Sequence, residues 1–342
     1  MSKATIYDVA GAARVSLATV SRAINNPEKV KPETRERVLR VIEELGYKPN
    51  AFARGLASRK STTVAVLVPD MSRASIAEMM NGIADIARVY KYSILLYILD
   101  NEESSEEDVL KEIVAAQVDG MLYLNDEITD SQHEFLKKVR DEYQIPIVLT
   151  NTIYPKSDEI PSVSIDYEAA GYEMTKRLIE DGRSNIYMVS TVRKYMVNDL
   201  KEQGYLRAIS EAGLTPRIMR TSGRISINTE HFNEYFHSHT VDGVIAVRDS
   251  IAVSFINVAR QNHVKIPEDI SVAGFQNTKY SLLSRPRLSC VDVPIYDIGA
   301  VSMRVLTKLM NQEEIEDRMI KLDHDIIERE STLPKKDAEQ EK

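Results

Sequence analysis

Thr5-Ile-Tyr-Asp-Val-Ala10 and Val15-Ser-Leu-Ala-Thr-Val-Ser-Arg22 read as two short helices joined by a tight turn. Val9, Ala10 and Ala13 share one helical face, and Val15, Ala18, Val20 and Ile24 form a second apolar set. Ser16 stands where the second helix needs an N-cap. Leu17, Ala18, Thr19, Ser21 and Arg22 then begin a helix whose outward side chains are small, polar or basic. Such a helix fits a DNA major groove, with the preceding helix crossing the backbone. A third helix is expected from Lys31-Pro32 onward, with Val38, Val41, Ile42 and Leu45 spaced for one buried face. Three short helices make a headpiece with a small core. The alanine-rich run Asn50–Ser58, with Gly55 inside it, is marginal as a lone helix in water and is expected to fold when something holds it.

The 342 residues, 43% apolar and 28% charged, leave room beyond the headpiece for one large or two medium domains. No apolar run approaches the ~18–20 residues of a membrane span, and the N-terminus lacks a signal-peptide layout, so a soluble cytoplasmic protein is expected. One cysteine, Cys290, excludes an internal disulfide and reads as a small buried hydrophobe. Net charge is -8, but residues 1–60 carry 12 Lys+Arg against 6 Asp+Glu, hence +6, and the remainder 32 against 46, hence -14. The basic end is the polyanion-binding end.

Ser58–Thr63 reads as a linker, after which strands and helices alternate. Strands are expected at 63–68, 94–99, 121–124 and 147–149, separated by helices at 76–90, 106–116 and 130–143. The rhythm restarts with strands at 163–165, 186–189, 244–247 and 272–273 and helices at 168–180, 200–212, 230–237 and 251–261. Apolar strands without polar alternation indicate parallel sheets covered on both faces. Val118-Asp-Gly-Met-Leu-Tyr-Leu-Asn-Asp126 echoes Val241-Asp-Gly-Val-Ile-Ala-Val-Arg-Asp249, which indicates two similar lobes. Open α/β lobes bind ligands at the carboxyl ends of their strands and in the cleft between them. No phosphate-binding glycine loop or nucleophile elbow occurs, and neither an enzyme nor a cofactor is expected. His231, His237 and His239 do not share a helix face, so they read as exposed polar residues and no metal site is expected.

On the two opening helices and Ala53-Arg-Gly-Leu-Ala-Ser58, the chain resembles the LacI/GalR family of bacterial transcriptional regulators. The resemblance implies an α/β protein: a helix-turn-helix headpiece and hinge helix, then a two-lobed periplasmic-binding-protein-like core of parallel sheets. It implies a headpiece over 1–48, hinge and linker over 49–61, a first lobe of 62–161 plus 291–323, a second of 162–290 plus 324–334, and a charged tail over 335–342. The chain would cross between lobes near residues 160, 291 and 323. Thr5, Tyr7, Ser16, Leu17, Ala18, Thr19, Ser21, Arg22, Asn25, Tyr47, Asn50, Ala53 and Arg54 would contact operator DNA. Leu56 would be a minor-groove wedge, two of which meet at the centre of a near-palindromic operator bound by a homodimer. Arg14 stands where many family members carry Gly, and a left-handed conformation there costs of order 1 kcal/mol.

Two effector readings stay open. In sugar- and purine-responsive members, the positions matching Lys201, Asp249 and Gln276 line an effector cleft; here two of the usual sugar ligands are altered, and Asp249 reads equally as a helix N-cap. A small sugar or sugar phosphate would bind there. The other reading rests on Tyr296-Asp-Ile-Gly-Ala-Val-Ser-Met-Arg-Val-Leu-Thr-Lys308, where Asp297 can cap a helix and Asp297, Val301, Arg304 and Lys308 share a face. In members that govern carbon catabolism, the corepressor is a serine-phosphorylated phosphocarrier protein docking on the matching segment, and Asp70 joins the expected contacts. The bland alternative is a solvated helix face.

Overall fold

The computed structural model describes residues 4–47, 61–99, 106–124, 128–193, 195–223, 225–236 and 240–334. The expected hinge helix, with Asn50, Ala53, Arg54 and Leu56, lies outside the described residues, as do the side chain of Asn25 and the 335–342 tail. The chain forms two compact units, Met1–Thr62 and Thr63–Lys342.

In the first unit, α1 (Ile6–Ala13) is opened by a capping box: the Asp8 carboxylate accepts from the Thr5 N–H at 2.7 Å, and Thr5 Oγ1 accepts from the Asp8 N–H at 3.4 Å. It ends at Arg14, whose backbone is left-handed (φ 52°, ψ 49°). α2 (Leu17–Asn25) follows, and then α3 (Pro32–Glu44) with its proline in the first turn. Val9, Ala13, Val20, Ala23, Val38 and Val41 form the core. Leu45, expected on the buried face, is 41% exposed. Its periodicity continues in sequence, but α3 stops at Glu44 and Gly46 turns the chain with positive φ, so Tyr47 packs in the core instead.

The second unit contains two six-stranded sheets. The first has the order β11-β5-β4-β3-β1-β2, from β1 (Thr63–Val68), β2 (Ser93–Ile98), β3 (Gly120–Tyr123), β4 (Ile147–Thr150), β5 (Ser162–Ile165) and β11 (Met319–Leu322). The second has the order β12-β10-β9-β8-β6-β7, from β6 (Ile186–Thr191), β7 (Ile218–Thr221), β8 (Gly243–Ala246), β9 (Ser271–Phe275), β10 (Ser289–Asp292) and β12 (Asp325–Ile327). The two orders correspond strand for strand, with β3 and β8, the strands of the sequence echo, in the same place. Pairing is parallel throughout except for β10 with β12. Helices α4 (Ala74–Val89), α5 (Glu106–Ala115), α6 (Asp130–Tyr143), α7 (Tyr167–Glu180), α8 (Met196–Glu211), α9 (Ile225–Phe236), α10 (Asp249–Gln261), α11 (Lys279–Leu283) and α12 (Ile295–Met310) complete the unit. Strand β1 shows why its apolar run is unbroken. Val64, Val66 and Val68 pack with Met79 and Ile83 of α4, while Ala65 and Leu67 pack with Leu110, Ile113 and Leu136 of α5 and α6.

Three expectations need correction. β5 belongs to the first sheet, since Ser162 pairs with both Leu149 and Met319, so the first crossing follows Ile165 instead of residue 161. A restart in the strand–helix rhythm cannot say on which side of a crossing its strand lies. For the same reason β10 runs in the second sheet to Asp292, past the expected break at 291. Finally, β2 is a sheet edge and is not covered on both faces: Leu95, Leu96 and Ile98 are 38%, 41% and 47% exposed. Cys290 is fully buried, as its sequence context indicates.

Each lobe closes on a pair of helices in backbone contact. A Cβ added at Gly82 of α4 would lie 2.1 Å from the Tyr296 carbonyl oxygen, and one at Gly299 of α12 would lie 2.2 Å from that of Met79. Gly171 of α7 and Gly204 of α8 repeat the arrangement in the second lobe, with added Cβ atoms 2.4 Å from the Lys201 oxygen and 2.0 Å from the Glu168 oxygen. Backbone oxygens cannot move aside as side chains do. Gly82→Ala should therefore push α4 off α12 and destabilise the chain by about 1–3 kcal/mol, read as a lower urea midpoint; an unchanged midpoint would deny the close approach.

Candidate nucleic-acid interface and regulatory surfaces

At the start of α2, Ser16 Oγ accepts from the Thr19 N–H at 3.2 Å and lies 2.9 Å from Thr19 Oγ1. The cap directs the first turn outward, leaving Leu17, Ala18 and Arg22 exposed while Val20 and Ala23 enter the core. Thr5 and Tyr7, at the start of α1, are exposed too, Tyr7 by 70%; Thr19 and Ser21 are half-buried. Tyr47 does not join this surface; it is 9% exposed and packed in the headpiece core. The N-terminus of α2 carries the partial positive charge of the helix dipole, which favours an anionic partner. Arg22 contributes nothing to the core, so Arg22→Ala should weaken binding to an operator duplex roughly 10- to 100-fold with the melting temperature unchanged. Equal affinity in a fluorescence-anisotropy titration would remove Arg22 from the interface.

On α12, Asp297, Arg304 and Lys308 are exposed on one face and Val301 is half-buried beside them. Asp297 does not cap the helix, which begins two residues earlier with Pro294 in the cap position; it lies in the first turn, where a negative charge favours the helix N-terminus. Tyr296 Oη donates to Asp85 Oδ2 at 2.9 Å, and Asp85 Oδ1 accepts from Arg88 at 2.8 Å. That contact pushes the Tyr296 hydroxyl above its ordinary range. Asp85 and Arg88 of α4 were not singled out by sequence; the only cue was an acid and a base three residues apart. Asp70 stands elsewhere, at the end of β1, accepting from the Ser72 N–H and Oγ, both at 2.7 Å, on the wall of the interlobe cavity.

That cavity, about 1160 Å³, brings together Lys201, Asp249 and Gln276. Lys201 Nζ donates to the Val247 carbonyl at 3.0 Å and lies 4.9 and 4.7 Å from the ring centres of Tyr167 and Phe275. Burial, with Arg248 nearby, pushes its ammonium down to about 7. Asp249 is not an N-cap: Arg248 holds that position, and the carboxylate is buried with Oδ2 accepting from the Thr278 N–H at 2.6 Å and from Thr278 Oγ1 at 2.9 Å. Burial pushes it up to about 7 against those bonds. Gln276 sits with positive φ, 101°. Of the histidines considered for a metal, His231 is exposed on α9, and His237 and His239 lie outside the described residues. Among the described residues no helix is long and apolar enough to cross a membrane.

Comparison with known proteins agrees with this geometry. Residues 5–50 match the family model for bacterial regulatory proteins of the lacI family, and residues 175–332 that for the periplasmic binding protein-like domain. Catabolite control protein A of Priestia megaterium is 41% identical over 96% of this chain and 99% of its own. A crystal structure of the transcription regulator CcpA of Lactococcus lactis superposes with a TM-score of 0.71 at 32% identity, over 79% of this chain and 99% of that one. A lac repressor dimer bound to operator and the anti-inducer ONPF shares the fold, with a TM-score of 0.87 at 20% identity over 97% and 100% of the two chains.

Proposed function

The chain belongs to the LacI family of DNA-binding bacterial transcription regulators, and on that premise we propose that it regulates carbohydrate metabolism as a homodimer on a pseudo-palindromic operator. Its affinity for that operator is set by a serine-phosphorylated phosphocarrier protein docking on α12. The carrying observation is the exposed stripe of Asp297, Arg304 and Lys308 beside the Tyr296–Asp85–Arg88 contact. Arg304 and Lys308, one helical turn apart, suit a phosphoserine, which a guanidinium grips with a fork and an ammonium attracts as a point charge. Similarity to proteins called catabolite control protein A supports the same partner class. The apolar edge strand β2, with Leu95 and Leu96 at the surface, supports self-association. Arg54, Arg59 and Lys60 would neutralise backbone phosphates beside the Leu56 wedge, and a change in lobe closure would set the spacing of the two hinges.

A second reading keeps the DNA binding but places a small sugar or sugar phosphate in the interlobe cavity, favoured by the convergence of Lys201, Asp249 and Gln276 on its wall. Operator titration with and without the phosphorylated carrier separates the two. Enhancement of at least tenfold that Arg304→Ala removes fits the α12 reading, and no enhancement at saturating carrier refutes it.

A further inference from the structure

One imidazole in the first lobe is buried with nothing to bond. His133 of α6 is 2% exposed, and neither ring nitrogen has a hydrogen-bond partner among the described residues. Its ring stacks on Tyr154, with centroids 3.8 Å apart and planes 15° from parallel. Tyr154 belongs to the segment 151–161 that joins β4 to β5, and the stack is the middle one of three attachments holding that segment on α6. Ahead of it, Asp130 Oδ1 accepts from Tyr154 Oη at 3.1 Å, and both Asp130 oxygens accept from Lys156 at 2.6 Å. Behind it, the Glu159 carboxylate pairs with Lys137 at 3.2 Å and Arg140 at 3.4 Å, while its carbonyl accepts from Arg140 and Arg318, both at 2.8 Å. The segment also reaches the second lobe: Asn151 Oδ1 accepts from Tyr167 Oη, at the start of α7, at 2.6 Å.

An apolar ring would fill this place with no unmet nitrogen; what an imidazole adds is a proton exchanged near neutral pH. The surrounding charges do not accommodate that proton. Asp130, Glu134, Lys137 and Arg140 stand around the ring from α6, and Lys156 and Glu159 from the segment, carboxylates and cations in equal number; Asp141 and Arg318 lie one contact further out, on Arg140 and Glu159. Glu134 Oε1, 3.9 Å from Nδ1, is beyond hydrogen-bond reach, and Asp130 and Glu159 are already engaged by cations. Burial, ahead of these charges, holds the imidazole below its ordinary range. We propose that His133 is an acid-release catch: a proton taken up by its ring drives it off Tyr154 and frees segment 151–161 from α6, and with it the Asn151 contact to the second lobe. The catch is independent of either effector reading. Once the segment opens, the imidazole titrates at its ordinary value of about 6.5, so the attachment is full above that pH and is lost as pH falls below it. Asp130, Asp141 and Glu159 are held by their lysine and arginine partners below the ordinary carboxylate range, so the ion pairs at both ends survive this window.

Amide hydrogen exchange of the full chain, read by mass spectrometry and corrected for the intrinsic pH dependence of exchange, follows the segment directly. Between about pH 7.5 and 5.5 the opening equilibrium of peptides covering 151–161 should rise about threefold or more, toward the ceiling of about tenfold that a group free to titrate at 6.5 allows. His133→Phe keeps a ring for the stack and cannot take up a proton, so its segment should show no such rise. His133→Gln should be equally flat and serves where the phenylalanine variant does not fold. The catch is overturned if the parent segment keeps the same protection across that range, if its protection increases, as it would were the protonated ring to gain Glu134 as a partner, or if the variants lose protection as the parent does.

Discussion

Arg177→Ala should destabilise the chain by about 3–5 kcal/mol, more than any surface substitution. Arg177, 6% exposed on α7, donates to both Glu328 oxygens at 2.8 and 2.9 Å, to the Leu333 carbonyl at 3.1 Å, and to Asp181 one turn on. It thereby ties the last described segment of the chain to the second lobe. Removing the guanidinium strands the Asp181 carboxylate at 3% exposure and frees the tether at Glu328. An uncompensated buried charge costs far more than the pair itself contributes. Urea unfolding followed by circular dichroism reads the effect, and a loss under about 1 kcal/mol would mean that water reaches Asp181 and replaces the arginine.

Leu56→Ala is expected to weaken operator binding roughly 100-fold and to remove most of the bend in the bound duplex, while the melting temperature of the free protein stays put. An apolar side chain inserted between base steps costs a few kcal/mol of unstacking and is repaid only through contacts the bent duplex permits. A methyl group cannot fill that wedge. Arg22→Ala should contrast with it, lowering affinity while leaving the bend, because its contribution is to base edges or phosphates alone. Fluorescence transfer between labelled duplex ends distinguishes the two variants. A Leu56→Ala complex as tight and as bent as the parent would contradict the hinge reading.

Local signals carried most of the architecture. Ser16 was legible as a cap because capping is settled within three residues, and β1 was legible because a strand buried on both faces has to be apolar throughout. The echo between Val118–Asp126 and Val241–Asp249 placed β3 and β8 in corresponding positions of two sheets. What stayed hidden depends on distant partners. Strand β7, Ile218-Met-Arg-Thr221, is a short edge with a charge inside it, and its pairing with β6 is what makes it a strand. Strand β5 sits between β4, just before it in the chain, and β11, far along it, and only that pairing shows which sheet takes it. Asp249 resembled a cap locally, yet Thr278 claims its carboxylate, and Gly274 makes room for it: a Cβ there would come within 2.7 Å of Oδ1. Arg177 and Glu328, 151 residues apart in sequence, likewise meet only in the fold. Lys201, Asp249 and Gln276 could be placed near a cleft by resemblance, but the aromatic cage around the Lys201 ammonium could not.

A cationic headpiece on an acidic chain is expected to read a two-fold symmetric DNA site. Repeated selection of the intact protein on a random duplex library, with the bound fraction sequenced, decides whether it does. One near-palindromic motif should be enriched, its two half-sites flanking an easily kinked pyrimidine–purine step, with log affinity falling as log salt rises. A pool that stays random, or that converges on an asymmetric site without a central step, would contradict it.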